Sequence, residues 1–181
     1  FYPAASVLAA GNRIMAKPSE FTPNTANLIK EAVGKYFDES EFAVFLGGPE
    51  VGSEFTALPL DHLLYTGSGN IAKKVVANAA KNLVPTTLEL GGKSPTIIAS
   101  DANLELVAKR IMFVKTLNAG QICLSPDYIM VKKGLEEKLI AELKKVFNTF
   151  YPENNGADYT SMVNDHHHNR MQEYLLDAKD K

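Results

Sequence analysis

The feature that most constrains this chain is an alternation. Short apolar runs that read as strands are each followed by a longer run with helical periodicity, and glycine or proline marks the joints. Val7 to Ala10 is short and apolar, and Gly11-Asn12 reads as a turn. RIMA, Arg13 to Ala16, then reads as a buried strand closed by Lys17-Pro18. Thr22 before Pro23 predicts a hydroxyl-capped helix start, and Leu28, Ile29, Ala32, Val33 and Phe37 repeat at helical spacing. FAVFL, Phe42 to Leu46, is the next strand, followed by Gly47-Gly48-Pro49 and a short helix near Val51 to Ala57. Leu63 to Tyr65 is a strand, Asn70 to Asn82 a helix, and Thr86 to Leu90 a strand ending at Gly91-Gly92. Successive strands joined by helices pair in parallel. The predicted fold class is therefore α/β, with parallel sheets covered by helices on both faces.

After the paired glycines the pattern restarts. TIIA, Thr96 to Ala99, is a strand, and Leu104 to Leu117 a helix with Asp101 or Asn103 as its cap. Tyr128 to Val131 is a strand, Leu135 to Phe150 a helix, Tyr151 to Tyr159 a loop, and Asp165 to Lys181 a last helix. Gly91-Gly92 has the composition of a hinge, so two units are expected, 1–91 and 92–181. With 181 residues, 45% of them hydrophobic, the chain holds one ordinary domain or parts of two.

Charge narrows the partners. Nineteen basic and 21 acidic residues give a formal net charge of −2, with no electrostatic pull toward nucleic acid or an anionic membrane. No apolar run reaches the ~20 residues needed to span a bilayer, and the first residues lack the basic leader of a signal peptide. A single cysteine excludes an internal disulfide and fits an intracellular, cytoplasmic protein. The chain opens on Phe1 inside an apolar pattern and stops inside a helical one, so it is expected to be a piece of a longer protein.

Five segments are candidates for chemistry. Cys123, in LNAGQICLSPDY, falls between Gly120 and Pro126 where a helix ends and a strand begins. A thiol on such a loop can reach a cleft; a buried core cysteine is the alternative. Glu89 is an acid in the apolar strand TTLEL, at the end where parallel sheets place ligands. Burial there raises a carboxyl toward general-base range, whereas an alternating strand can equally turn it to water. Thr66-Gly67-Ser68-Gly69 joins a strand to a helix, either as an anion site or as an ordinary capped start, and lacks the GxGxxG spacing. Lys17-Pro18-Ser19-Glu20 can hold sugar hydroxyls or form a solvated loop. Asp165-His166-His167-His168 places consecutive histidines on different helix faces, so no metal site is expected.

In this order, KPSE, a Gly-Pro loop, YTGS, LELGGKSP and GQICLSPDY, the segments resemble the aldehyde dehydrogenase superfamily over nearly the whole chain. The specific part is ELGGKSP with Cys123 following 34 residues after Glu89, and the style is similar to the fatty-aldehyde and coniferyl-aldehyde branches. The resemblance implies a partial Rossmann-like NAD(P)-binding domain over 1–91 and the first part of the nucleophile-bearing catalytic domain over 92–181. It implies that Cys123 attacks an aldehyde and that Glu89 activates the water that releases the acid. Lys17, Ser19 and Glu20 are implied around the adenosine ribose, and Gly67, Ser68, Leu90 and Gly91 as further cofactor contacts. Glu20 favours NAD over NADP by like-charge repulsion of a 2′-phosphate.

The backbone N–H of the cysteine is implied as one oxyanion donor and an Asn side chain upstream of Phe1 as the other. Also implied outside the chain are the first strand and helix of the cofactor domain, the later part of the catalytic domain and an oligomerisation arm. The whole protein is thus expected to be a dimer or tetramer, and these 181 residues alone to be inactive. Two further readings stand beside this one: a relative that passes the acyl group to coenzyme A or reduces an acyl phosphate, and a binding or structural piece without activity. Branches of the first kind generally lack the Glu that Glu89 matches. Phe113, Leu117, Ile122 and Leu124 flank the thiol in sequence and either line an apolar aldehyde site or pack the core. Lys93 is expected at the surface or an interface, with no assigned role.

Overall fold

A computed structural model describes residues 2–153 and 156–181. The loop expected over 151–159 therefore includes two residues, Asn154 and Asn155, that lie outside the described set. The chain divides into two compact units, Phe1–Glu89 and Leu90–Lys181.

The first unit begins with α1 (Tyr2–Ala9), a helix that buries none of its residues, followed by β1 (Ile14–Ala16). α2 (Pro23–Tyr36) starts at the expected proline, but the Thr22 hydroxyl makes no cap bond. It donates to Ser19 O at 3.5 Å instead, so proline at the first turn, and not the hydroxyl, sets this helix start. Then come β2 (Phe42–Val44), α3 (Pro49–Thr56), β3 (Leu63–Gly67), α4 (Gly69–Ala79) with a 3-10 turn at Ala80–Asn82, and β4 (Thr86–Leu90). Leu83 leaves that turn in the left-handed conformation. Ala26 and Val33 are the buried face of α2. Leu63, Val75, Ala79 and Val84 form a core cluster joined by Phe55, Leu60 and Tyr65, so α3 and α4 close over β3.

The second unit contains β5 (Pro95–Ile97), α5 (Leu104–Thr116), β6 (Tyr128–Met130), α6 (Glu136–Phe150) and α7 (Asp165–Asp180). Of the two caps expected for α5, Asn103 is the one used: its Oδ1 accepts from Leu106 N–H at 3.1 Å. Ile98, Leu104, Ile111 and Leu139 are the buried cluster, with Ile129 and Val131 of the strand region against it. α5 and α6 therefore pack their apolar faces together beside the strands.

Among the described residues the strands form three two-stranded sheets, β1–β2, β3–β4 and β5–β6, where the alternation alone suggested larger ones. β1 and β2 are parallel with Ile14 opposite Phe42, and β5 and β6 are parallel with Pro95 opposite Tyr128. Both pairs are joined through helices, as parallel pairing requires. Large apolar side chains remain in solvent, among them Leu83 (89% exposed) and Ile97 (74%).

Candidate functional site

In the first unit, the candidate residues collect where β1 and β3 end. The Lys17 side chain is only 12% exposed, and its Nζ lies 3.1 Å from Glu20 Oε2 and donates to Pro18 O at 3.2 Å. Its stem crosses α3 at Gly52, where an added Cβ would meet Lys17 Cε at 3.6 Å. The Glu20 carboxyl is held below the usual carboxylate range, chiefly by its own backbone N–H and further by the Lys17 ammonium, against a cost of desolvation. Ser19 turns the loop, its Oγ accepting from Phe21 N–H at 3.2 Å.

Tyr65, unmentioned among the expected site residues, links this loop to the start of α4. Burial pushes its phenol above the ordinary range; the Ser68 N–H, donating to it, works the other way, and the Glu20 charge adds to the rise. The hydroxyl lies over Gly67, so a Cβ there would displace the Tyr65 ring. Ser68 Oγ accepts from Ile71 N–H at 3.3 Å and caps α4. Glu20, Gly67 and Ser68 are thus grouped around one tyrosine, with Lys17 paired to Glu20.

Glu89 departs from the expectation of a buried general base. It is exposed, on the face of β4 that carries Thr87, which is the water-facing alternative an alternating strand left open. Leu90 is partly exposed and the space beside Gly91 is open.

In the second unit, the segment after Gly91 runs beside the Cys123 backbone. A Cβ on Gly92 would lie 3.9 Å from the Cys123 carbonyl oxygen. Asp127 N–H donates to Ser94 O at 2.9 Å, and Lys93 Nζ donates to Asp127 Oδ1 at 2.7 Å. Lys93 therefore has a partner that sequence spacing did not reveal.

α5 ends at Thr116, whose Oγ1 donates to Met112 O at 2.7 Å. Three consecutive residues then take the left-handed conformation: Asn118 (φ 51°), Ala119 (φ 55°) and Gly120 (φ 74°). Asn and Gly are the usual occupants of such a helix exit; Ala is not. The chain recovers at Gln121 and makes a turn closed by Ser125 N–H donating to Ile122 O at 3.1 Å. Cys123 is at the corner of that turn and is exposed, so the core-cysteine alternative does not apply.

Phe113 and Leu117 line a cleft of about 350 Å³ with Thr116, Phe150, Tyr151 and Asp158. Leu124 is exposed and Ile122 half-buried. A second cleft of about 450 Å³, between Ser100–Glu105 and α6, holds none of the candidate residues. Among the described residues, no three His, Cys, Asp or Glu side chains are grouped to hold a metal ion.

A family model described as "Aldehyde dehydrogenase family" matches residues 2–181. The chain belongs to the aldehyde dehydrogenase family. A probable coniferyl aldehyde dehydrogenase of Caulobacter vibrioides is 49% identical to this chain, over 100% of the chain and 38% of the relative. The coniferyl aldehyde dehydrogenase of a Pseudomonas species is 47% identical over the same shares. The solved substrate-bound state of Staphylococcus aureus AldH superposes with a TM-score of 0.92 at 41% identity, covering 99% of this chain and 40% of that one. The chain thus spans about two fifths of the length of the relatives it matches, and its mixed α/β architecture is theirs. No helix among its described residues is long and apolar enough to cross a membrane.

Proposed function

We propose that the protein carrying this chain oxidises an aldehyde to a carboxylic acid with NAD(P)+, with Cys123 as nucleophile and Glu89 as the base that activates water. One observation carries the reading: the only thiol of the chain stands exposed at the corner of a turn, on a residue whose backbone carbonyl lies near Gly92 of the GGKSP segment. The Cys123 thiolate attacks the aldehyde carbon, the C–S bond forms, and the carbonyl oxygen becomes an oxyanion that the Cys123 backbone N–H stabilises. NAD(P)+, when bound, supplies the acceptor for the hydride that leaves the tetrahedral carbon. The product on Cys123 is a thioester. Glu89 takes a proton from water, the oxygen attacks the acyl carbon, and the thiolate leaves with the acid released.

The residues present fit such a cofactor. Lys17 and Glu20, paired at the end of β1, offer a donor and an acceptor to a vicinal diol. The start of α4, with Gly67, Ser68 and Gly69, presents backbone N–H groups to a diphosphate. Leu90 and Gly91 complete the set by resemblance to the family. The Glu20 carboxylate repels a 2′-phosphate, so NAD is the preferred form. We assign 1–91 to part of the NAD(P)-binding domain and 92–181 to the first part of the catalytic domain. The whole protein is read as a cytoplasmic homo-oligomer, and the 181 residues alone as inactive, since the chain covers 38% of its relatives. The names of two relatives place coniferyl aldehyde first in a substrate panel.

The test is NAD+-dependent oxidation of that panel by the full-length protein, with Cys123→Ala and Glu89→Gln beside it. The expected result is NADH formation lost in Cys123→Ala, and a burst followed by slow turnover in Glu89→Gln. Normal turnover by Cys123→Ala would return the thiol to a structural role.

A further inference from the structure

We propose that Gln121 is a positioning residue for the Cys123 thiol: its carboxamide clamps the thiol-bearing turn to the Ser161–Val163 segment. The inference rests on the reading of Cys123 as nucleophile. Gln121 is two residues before the thiol and uses both ends of its amide. Nε2 donates to Asn118 O at 2.9 Å and to Ser161 O at 3.2 Å. Oε1 accepts from Val163 N–H at 3.1 Å. Two carbonyls and one N–H leave a single possible amide orientation, since only the NH₂ can meet a carbonyl. Asn118 Nδ2 returns a bond to Gln121 O at 3.2 Å, closing the left-handed run on itself.

That run needs such a tie. Left-handed Ala119 lies in a region that is sparsely populated for a residue of its kind, and strain of this sort persists only where the surroundings over-determine it. Beyond the thiol, the Ser125 hydroxyl is buried without a hydrogen-bond partner among the described residues. The segment from Asn118 to Ser125 is therefore held by the Gln121 side chain near its start and by the Asp127 N–H to Ser94 O backbone bond just beyond its end. Through the intervening Ile122, the clamp fixes where the Cys123 Cα and its N–H stand. A nucleophile displaced by about 1 Å loses on the order of 100-fold in rate, even when it remains exposed and chemically intact.

Gln121→Leu removes all three bonds. Gln121→Glu keeps the acceptor for Val163 and sets a carboxylate against two carbonyls; it stands in if the leucine variant does not fold. Three quantities are read on the full-length protein: the NADH burst rate at saturating aldehyde, the pH profile of Cys123 alkylation by iodoacetamide without cofactor, and amide exchange at Val163. The clamp predicts a burst rate lowered on the order of 100-fold with KM little changed. It predicts faster Val163 exchange, by about tenfold in Gln121→Leu. The alkylation profile of that variant stays at the wild-type position, because the thiol's exposure is unaltered. A wild-type burst rate in both variants, or unchanged Val163 exchange in Gln121→Leu, overturns the proposal. A wild-type protein with no burst on any aldehyde overturns the nucleophile reading, and this inference with it.

Discussion

Gly120→Ala measures the backbone that delivers the thiol. Gly120 has φ 74°, and an alanine Cβ there would stand 3.1 Å from Lys115 O and 3.5 Å from Ser125 Oγ. The left-handed conformation costs an L-residue about 1–2 kcal/mol, and the close carbonyl adds to it because backbone cannot swing away. Replacing glycine also stiffens the unfolded chain, which offsets about 0.4–1 kcal/mol. The net expectation is a destabilisation of about 1 kcal/mol or slightly more, the difference of those terms. For a chain of this size that lowers Tm by about 2–4 °C per kcal/mol. Ala119→Gly is the internal control. At φ 55° the same two terms act with opposite sign and no steric loss, so the variant is stabilised by up to about 1 kcal/mol. Urea and thermal midpoints of both variants decide the matter together, since their signs are opposite whatever the exact size. A midpoint that rises in Gly120→Ala, or falls in Ala119→Gly, refutes a left-handed exit from α5.

Two other perturbations bear on the frame around the site. Asn103→Ala removes the bond to Leu106 N–H and should cost about 1 kcal/mol, read as a lowered urea midpoint. Ultraviolet titration should show Tyr65 and Tyr159 deprotonating above the usual phenol range, Tyr65 chiefly from burial and Tyr159 from burial with Tyr151 beside it. A raised folded-state value means that stability is full below the unfolded phenol's pKa and is lost as pH rises through the folded one. Tyr65→Phe should therefore remove one late-titrating phenol and part of the alkaline loss; an unchanged titration curve would contradict the burial of Tyr65.

Much of the element order was legible because strand–helix alternation is a periodicity signal, and glycine and proline mark its joints. β1 through β6 all fall within or against the apolar runs that suggested them. α1 was not legible: YPAASVLA buries nothing, so no apolar stripe distinguishes it. The hydroxyl cap at Thr22 failed because a neighbouring carbonyl, Ser19 O, competes for the same group. Pairing into three two-stranded sheets is a tertiary outcome that no window of residues carries. At the site, residue type and order pointed to Cys123, Glu89, Lys17, Glu20 and Ser68, but their surroundings were hidden. Glu89 alternates out to water, where an acid in an apolar strand suggested burial. Tyr65 and Gln121 gave no signal of spacing, since each acts through a contact whose partner the sequence does not mark. The one available hint was Asn-Ala-Gly after a helix, a composition suited to a left-handed exit.

Why two short segments carry so much of the family's signature follows from strand register. β5 and β6 are parallel, with Pro95 opposite Tyr128, so the segments that enter them arrive side by side. Gly92 therefore lies against the Cys123 carbonyl although 31 residues separate the two in sequence. The Lys93–Asp127 ion pair spans the same gap, yet Lys93 is 77% exposed, and a solvated pair contributes little to stability. The backbone bond from Asp127 N–H to Ser94 O is continuous with the ladder and does not depend on side-chain identity. Loss of the ion pair should thus leave the GGKSP and CLSPD segments adjacent, whereas a change that slips β5 against β6 would separate them. The register of one strand pair, more than any side-chain contact across it, keeps the thiol loop beside the glycines.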